Sequence, residues 1–234
     1  MKKKLLLLIL IISIIVFLYS SFNILDWKSE ELKVNKINND IEDNIDINPS
    51  KGVFEVDLDK LKKKNPDTIA YIYINNTNIN YPVVQTTNND FYLTHDFNKN
   101  INEAGWVYMD YRSKITSKNV IIYGHNRLDG IMFGTLKNVL KESWYSNPDN
   151  LIIHLITNEG EIGYKIFSAY KIKKESYYIT PDMNDKEYNE FINTLEKRSL
   201  HNYNSGVTSS SNIITLSTCT TTDNERFVVH AYQL

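Results

Sequence analysis

The chain opens on an unbroken apolar run and then settles into short stretches in which hydrophobic and polar positions alternate. Leu5 to Phe22 contains no charge and only Ser and Tyr as polar residues. As a helix of about 18 residues it would reach roughly 27 Å, close to the hydrocarbon thickness of a bilayer. Between 23 and 51, in a segment rich in Asn, Asp, Glu and Lys, Leu25 with Leu32 and Ile37 with Ile41 and Ile45 suit one or two loosely packed amphipathic helices; Pro49 closes the region. Residues 56–64 predict a short helix that stops at Asn65-Pro66. Beyond it the period becomes two. Strands are predicted at 69–74 and 79–84 about Asn75-Asn76, at 105–109 and 120–123, in a hairpin of 151–156 and 161–171 around Asn158-Glu159-Gly160, and at 212–218 and 227–232. A helical turn is expected at 88–96 and a helix at 131–140. A longer helix is expected at 181–200, where Tyr188, Phe191, Ile192 and Leu195 share a face behind Asp182 or Asn184 as cap. Seven or eight short strands with few helices predict a mainly β fold, a closed barrel or a sandwich.

Composition sharpens this only at a few points. A formal net charge of −2 and a pI near 6.2 give no reason to expect nucleic-acid binding. Lys2, Lys3 and Lys4 ahead of the apolar run favour a cytoplasmic N-terminus, with everything after Asn23 outside the cell. A cleaved signal peptide has a shorter apolar region, about 7–15 residues, and an A-x-A-like site that is not seen here, so the run reads as a membrane anchor. The expected organisation is a cytoplasmic tip and transmembrane anchor at 1–27, an extracellular stalk at 28–52 and a catalytic domain at 53–234.

The chain has one cysteine, Cys219, which excludes an intrachain disulfide and a multi-cysteine metal site. It ends the strand 212–218, the polar segment 220–225 reads as a connecting loop, and Arg226 begins the next strand. Alternation puts Ile214, Leu216 and Thr218 on one face and Thr215, Ser217 and Cys219 on the other; Arg226, Val228 and His230 oppose Phe227, Val229 and Ala231. Thiol and guanidinium can then share one wall. A reactive cysteine needs a base or cation nearby, since at a reference pKa of about 8.5 only a few per cent is thiolate near neutrality. His125 ends the apolar strand of NVIIYGHN and is the preferred partner. His230 lies four residues, about 13 Å, along the strand from Arg226, too far to serve a thiol beside that arginine. His95, His154 and His201 stand alone, without a second ligand at metal spacing, so no metal or other cofactor is expected.

TLSTC followed by RFVVHAY, with NVIIYGHN upstream, resembles the sortases, membrane-anchored cysteine transpeptidases of Gram-positive bacteria. NDFYL at 89–93 in this chain, GWVYMDYR at 105–112 and the helical stretch before the cysteine strand make it most similar to class B, over roughly 56–234. The resemblance implies a closed sortase-type β-barrel of about eight strands with N-terminal helices and a helical insertion before the cysteine strand. It also implies the chemistry: Cys219 attacks the carbonyl of a threonine in a C-terminal sorting motif of a secreted protein, and the thioacyl-enzyme passes its acyl group to an amine of peptidoglycan or a pilin. His125 would carry the protons and Arg226 would hold the substrate backbone or oxyanion. Asn89, Leu93, Tyr123, Tyr178, Ile179 and Ser217 would line the peptide groove. Two other readings compete. One is an L,D-transpeptidase, whose cysteine normally sits in a serine-histidine-glycine-cysteine context that Leu216-Ser217-Thr218-Cys219 lacks; the other is a membrane-tethered binding barrel with an incidental thiol.

Overall fold

A computed structural model describes residues 2–42, 47–48, 53–54, 56–173, 175–219 and 225–234. The apolar run belongs to helix α1 (Lys2–Glu42), which continues without a break well past the 18 residues a bilayer requires. Its apolar stretch is exposed, but further along Val34 and Ile41 are buried in the main core. The stretch expected to be loosely packed is therefore, up to Glu42, a helix seated on the domain. Glu30 anchors it: its Oε1 accepts from the Glu103 backbone N–H at 3.0 Å and its Oε2 meets Arg127 Nη1 at 3.5 Å.

Strands β1 (Ile47–Asn48) and β2 (Val53–Phe54) form a small antiparallel pair of their own. Helix α2 (Leu58–Lys64) follows, its first turn capped by the Asp57 carboxylate, which accepts from the Lys60 N–H at 2.9 Å. Eight strands then close a barrel: β3 (Thr68–Ile74), β4 (Asn80–Val84), β5 (Tyr108–Met109), β6 (Asn119–His125), β7 (Ile152–Thr157), β8 (Gly160–Lys173), β9 (Ile213–Cys219) and β10 (Glu225–Gln233). Around the barrel they run β10-β8-β7-β3-β4-β5-β6-β9, with β9 paired back to β10. The β4–β5 and β6–β9 pairs are parallel and the rest antiparallel. Closure spares the barrel the free edge strands that an open sheet of this size would expose.

Alternation sorts the two faces as the sequence suggests. Ile214, Leu216, Phe227, Val229 and Ala231 join the main core. Val228 and Ile213 instead face a second apolar cluster built on helix α4 (Asp185–Arg198), whose Tyr188, Phe191, Ile192 and Leu195 pack against Phe167 and Tyr170. Asn184 rather than Asp182 caps α4, in a reciprocal capping box with Glu187. Asp182 is used elsewhere, accepting from the Lys118 N–H and Ser117 Oγ.

One helix expectation fails. Residues 131–140 are not one helix: tight turns occupy 131–135 and a 3-10 turn covers Leu136–Leu140, followed by the short α3 (Glu142–Tyr145). Met132 has φ +52 and its N–H is taken by the Tyr81 hydroxyl at 3.0 Å, so the apolar spacing there serves a folded-back turn and not an α-helical face. The expected loop at 220–225 lies outside the described residues except for Glu225, which begins β10.

Candidate active site

The parallel register of β6 on β9 pairs Tyr123 with Ser217, Gly124 with Thr218 and His125 with Cys219. Register partners lie on one face of a sheet, so His125 and Cys219 hold adjacent strand-end positions on the same side. On the other flank β10 pairs Val228 with Ser217 and His230 with Thr215. One step beyond Val228 and Ser217, the Thr218 hydroxyl takes over from the ladder: Oγ1 accepts from the Phe227 N–H at 2.9 Å and donates to the Phe227 carbonyl at 3.3 Å. Cys219 and Arg226 are the next positions outward. The three strand ends named in the sequence thus converge on one rim of the barrel.

His125 is nine-tenths buried, and its ring is oriented by the backbone. Nε2 lies 2.8 Å from the Leu93 carbonyl, which can only accept, so Nε2 carries a hydrogen there and Nδ1 is the ring nitrogen placed to exchange a proton. Close packing here demands Gly105. It has φ +60, and a Cβ on it would fall 2.5 Å from the Tyr92 carbonyl, 2.8 Å from that of Leu93 and 2.9 Å from His125 Cδ2. Arg226 is half-buried, and its Nη1 donates to the Glu225 carbonyl at 3.0 Å.

The residues expected in a groove fall into three groups. Leu93 reaches His125 through its carbonyl. Asn89 and Tyr123 are joined through a residue that sequence reasoning passed over, Asp110, which is fully buried. Its carboxylate accepts from Tyr123 Oη at 2.9 Å, Asn89 Nδ2 at 3.0 Å and both Nε and Nη2 of Arg112, at 2.9 and 2.7 Å. Burial pushes the Asp110 carboxyl upward, but the hydrogen bonds from Arg112, Tyr123 and Asn89 outweigh it and hold the group below the usual carboxylate range. The Asp-x-Arg spacing in GWVYMDYR was the available signal. Tyr178 and Ser217 meet directly, Oη to Oγ at 3.2 Å, both buried. Ile179 is half-buried, and its carbonyl accepts from Arg112 Nη2 at 3.0 Å.

The remaining histidines have ordinary surroundings. His95 stacks on Phe91 with ring centroids 4.1 Å apart, His201 stacks on Tyr145 at 3.9 Å, and His154 pairs with Glu161. His230 is fully buried among the rings of Phe167, Tyr170, Tyr178 and Phe191, with Tyr170 Oη on Nε2 and Thr215 Oγ1 on Nδ1. Burial pushes its pKa down to about 3. The sign follows from linkage. An unfolded histidine near 6.5 binds a proton that the folded one refuses, so the stability tied to His230 is complete above about pH 6.5 and drains away as pH falls toward about 3. The facing titratable groups are tyrosines, neutral throughout that range. Thermal unfolding should therefore lose about 1.4 kcal/mol per pH unit between roughly pH 5.5 and 4 from this residue alone, before Asp110 contributes. His230→Gln should start less stable at pH 7 and show the shallower slope; equal slopes would contradict the assignment.

Comparison with known proteins agrees with this fold. The family model for the sortase domain matches residues 72–234. Among curated relatives, the sortase B of Staphylococcus aureus (strain NCTC 8325 / PS 47) is 35% identical over 165 residues, covering 69% of this chain and 67% of its own. The sortase B of Listeria monocytogenes serovar 1/2a is 32% identical over 221 residues, covering 88% of this chain and 86% of its own. Among solved structures, a crystal structure of Staphylococcus aureus sortase B superimposes with a TM-score of 0.77 at 31% identity, over 88% of this chain and 98% of that one.

Proposed function

We propose, from the premise that this chain belongs to the sortase family as a class B transpeptidase, that Cys219, His125 and Arg226 carry out its acyl transfer at the rim of the barrel. The observation that supports this most is the register: His125 beside Cys219 across the parallel pair, with Arg226 next in line across the antiparallel one. The Cys219 thiolate would add to the carbonyl of a threonine within a C-terminal sorting motif of a secreted protein, breaking the amide and forming a thioester. His125, with Nε2 tied to Leu93, would take the Cys219 thiol proton at Nδ1 as the thiolate forms, give that proton to the departing amine, and later accept one from the incoming amine at the same nitrogen. Arg226 would hold the reacting carbonyl or its oxyanion with a planar fork of donors. The peptide would run along Leu93, Tyr178, Ile179 and Ser217, while Asn89 and Tyr123 act at least in part through Asp110. The acceptor would be an amine of peptidoglycan or of a pilin, and the chemistry calls for no cofactor.

The same reading covers location. Residues 5–22 of α1 would span the membrane of a Gram-positive cell with the lysines inside, and 53–234 would form the catalytic domain outside. Glu30 is eight residues past Phe22, roughly 12 Å along the helix, so its contact with Arg127 would hold the β6 end of the barrel close to the membrane surface. Full-length protein in micelles, incubated with a panel of sorting peptides and amine acceptors and read by mass spectrometry, tests the proposal. Products cut after threonine and bearing the amine, with a thioester on Cys219 when amine is left out, are expected. Intact peptides across the panel would overturn it.

A further inference from the structure

Residues 177–180, which carry Tyr178 and Ile179, are attached at both ends to one buried chain of hydrogen bonds. Tyr177 Oη bonds to Tyr170 Oη, and Tyr170 Oη lies 2.9 Å from His230 Nε2. His230 Nδ1 lies 2.9 Å from Thr215 Oγ1, and Thr215 Oγ1 lies 2.6 Å from Asn119 Oδ1. Asn119 Nδ2 then donates back to the segment, to the carbonyls of Tyr178 and Thr180 at 3.1 Å each. Asn119, Thr215 and His230 are fully buried and Tyr170 nearly so.

Counting protons gives this chain a single direction. The two Asn119 amide hydrogens go to carbonyls, so its Oδ1 is an acceptor and the one Thr215 hydroxyl hydrogen points at it. Thr215 must in turn accept from His230 Nδ1–H. Neutral His230 then offers only a lone pair at Nε2, so the Tyr170 hydroxyl donates there, and Tyr177 donates to Tyr170. Every donor has one acceptor and no member can be turned without orphaning its neighbour. Buried networks satisfied in this way rigidify what they hold. Two further ties aim the segment: Tyr178 Oη bonds Ser217, two positions from Cys219 on β9, and Arg198 of α4 lies 4.5 Å over the Tyr177 ring.

We infer that Tyr170, His230, Thr215 and Asn119 form a positioning clasp, which sets where Tyr178 and Ile179 stand beside the end of β9 and thereby sets the affinity for the peptide. This rests on the reading that those two residues line the peptide groove. None of the four clasp residues is placed against the reacting atoms, so the clasp should act on binding and leave the chemical step alone.

Thr215→Val keeps the shape of the side chain and removes the link, while Thr215→Ser keeps the link. In the peptide assay with full-length protein, Thr215→Val should raise KM by about tenfold, the size of one buried hydrogen bond lost, with kcat within about twofold. Thr215→Ser should return KM to within about twofold of the parent. Amide exchange at Ile179, whose N–H bonds the Ser176 carbonyl at 3.1 Å, should quicken by a similar factor in Thr215→Val while the amides of β3 are unchanged. An unchanged KM, a fall in kcat alone, or a serine variant no better than valine would overturn the clasp. Should Thr215→Val fail to fold, Tyr170→Phe reads the same KM and exchange changes from the other end of the chain. A parent enzyme that leaves every peptide intact would count against the transpeptidase reading, and exchange at Ile179 would then decide the clasp by itself.

Discussion

Cys219→Ala is expected to abolish peptide cleavage and amine transfer while leaving the protein folded. The chain contains a single cysteine, so no second thiol can take over. The nearest hydroxyl on the same face of β9 is Ser217, which is buried and bonded to Tyr178. A serine so placed has its hydroxyl tied to Tyr178 and not to a base, and loss of the nucleophile in a covalent hydrolase costs on the order of 10⁶ in turnover. The fold should not notice. Gly124 pairs with Thr218, and the Thr218 hydroxyl holds Phe227 whatever side chain follows. Mass spectrometry of the peptide products and a melting curve check both halves. Residual turnover above about a hundredth of the parent's would require another nucleophile and end this assignment.

The second large effect is expected at Arg226, where the competing explanation is strongest. An arginine at the start of a strand, bonded to its neighbour's carbonyl at 3.0 Å, could be an ordinary surface charge. Exposed ion pairs contribute about 0–1 kcal/mol, so in that case replacing it would barely change melting or turnover. A guanidinium that holds a developing oxyanion is different, because removing one such donor typically costs about 10²–10³ in rate. Lysine keeps the charge and loses the planar fork. Arg226→Ala and Arg226→Lys should both therefore lose at least about a hundredfold in turnover with melting nearly unchanged. Near-parental turnover in the lysine variant would rule out geometric positioning, and a collapse of melting in both would mark the residue as structural.

Much of the rim was legible before any coordinates. Alternation along TLSTC and RFVVHAY assigned Ile214, Leu216, Phe227 and Val229 to the core and Thr215, Ser217 and His230 to the opposite face, and the packing agrees. Strand ends at His125, Cys219 and Arg226 followed from where apolar runs give way to polar residues. The failures share a cause. At 131–140 the apolar spacing was helical, but Gly130 at φ +85, Met132 at φ +52 and the Tyr81 hydroxyl, all set by distant packing, hold a folded-back turn. The helix beyond the apolar run was expected to be loosely packed because its charges suggested solvent. Glu30 is instead buried against Glu103 and Arg127, partners that no local pattern exposes.

Local periodicity and residue chemistry determined what depends on neighbours in sequence: which segments are strands, which face each side chain takes, where a long apolar helix begins, and which thiol is available. Tertiary structure decided what depends on register between distant strands. Asn119 and Thr215, 96 residues apart in sequence, form a hydrogen bond only because β6 and β9 run parallel and in step. The same step brings His125 level with Cys219. The neutrality of His230, the use of Asn89 and Tyr123 around Asp110, and the clasp on 177–180 also come from closure of the barrel, since hydrogen-bond direction and burial are properties of the assembled wall and leave no periodic trace along the chain.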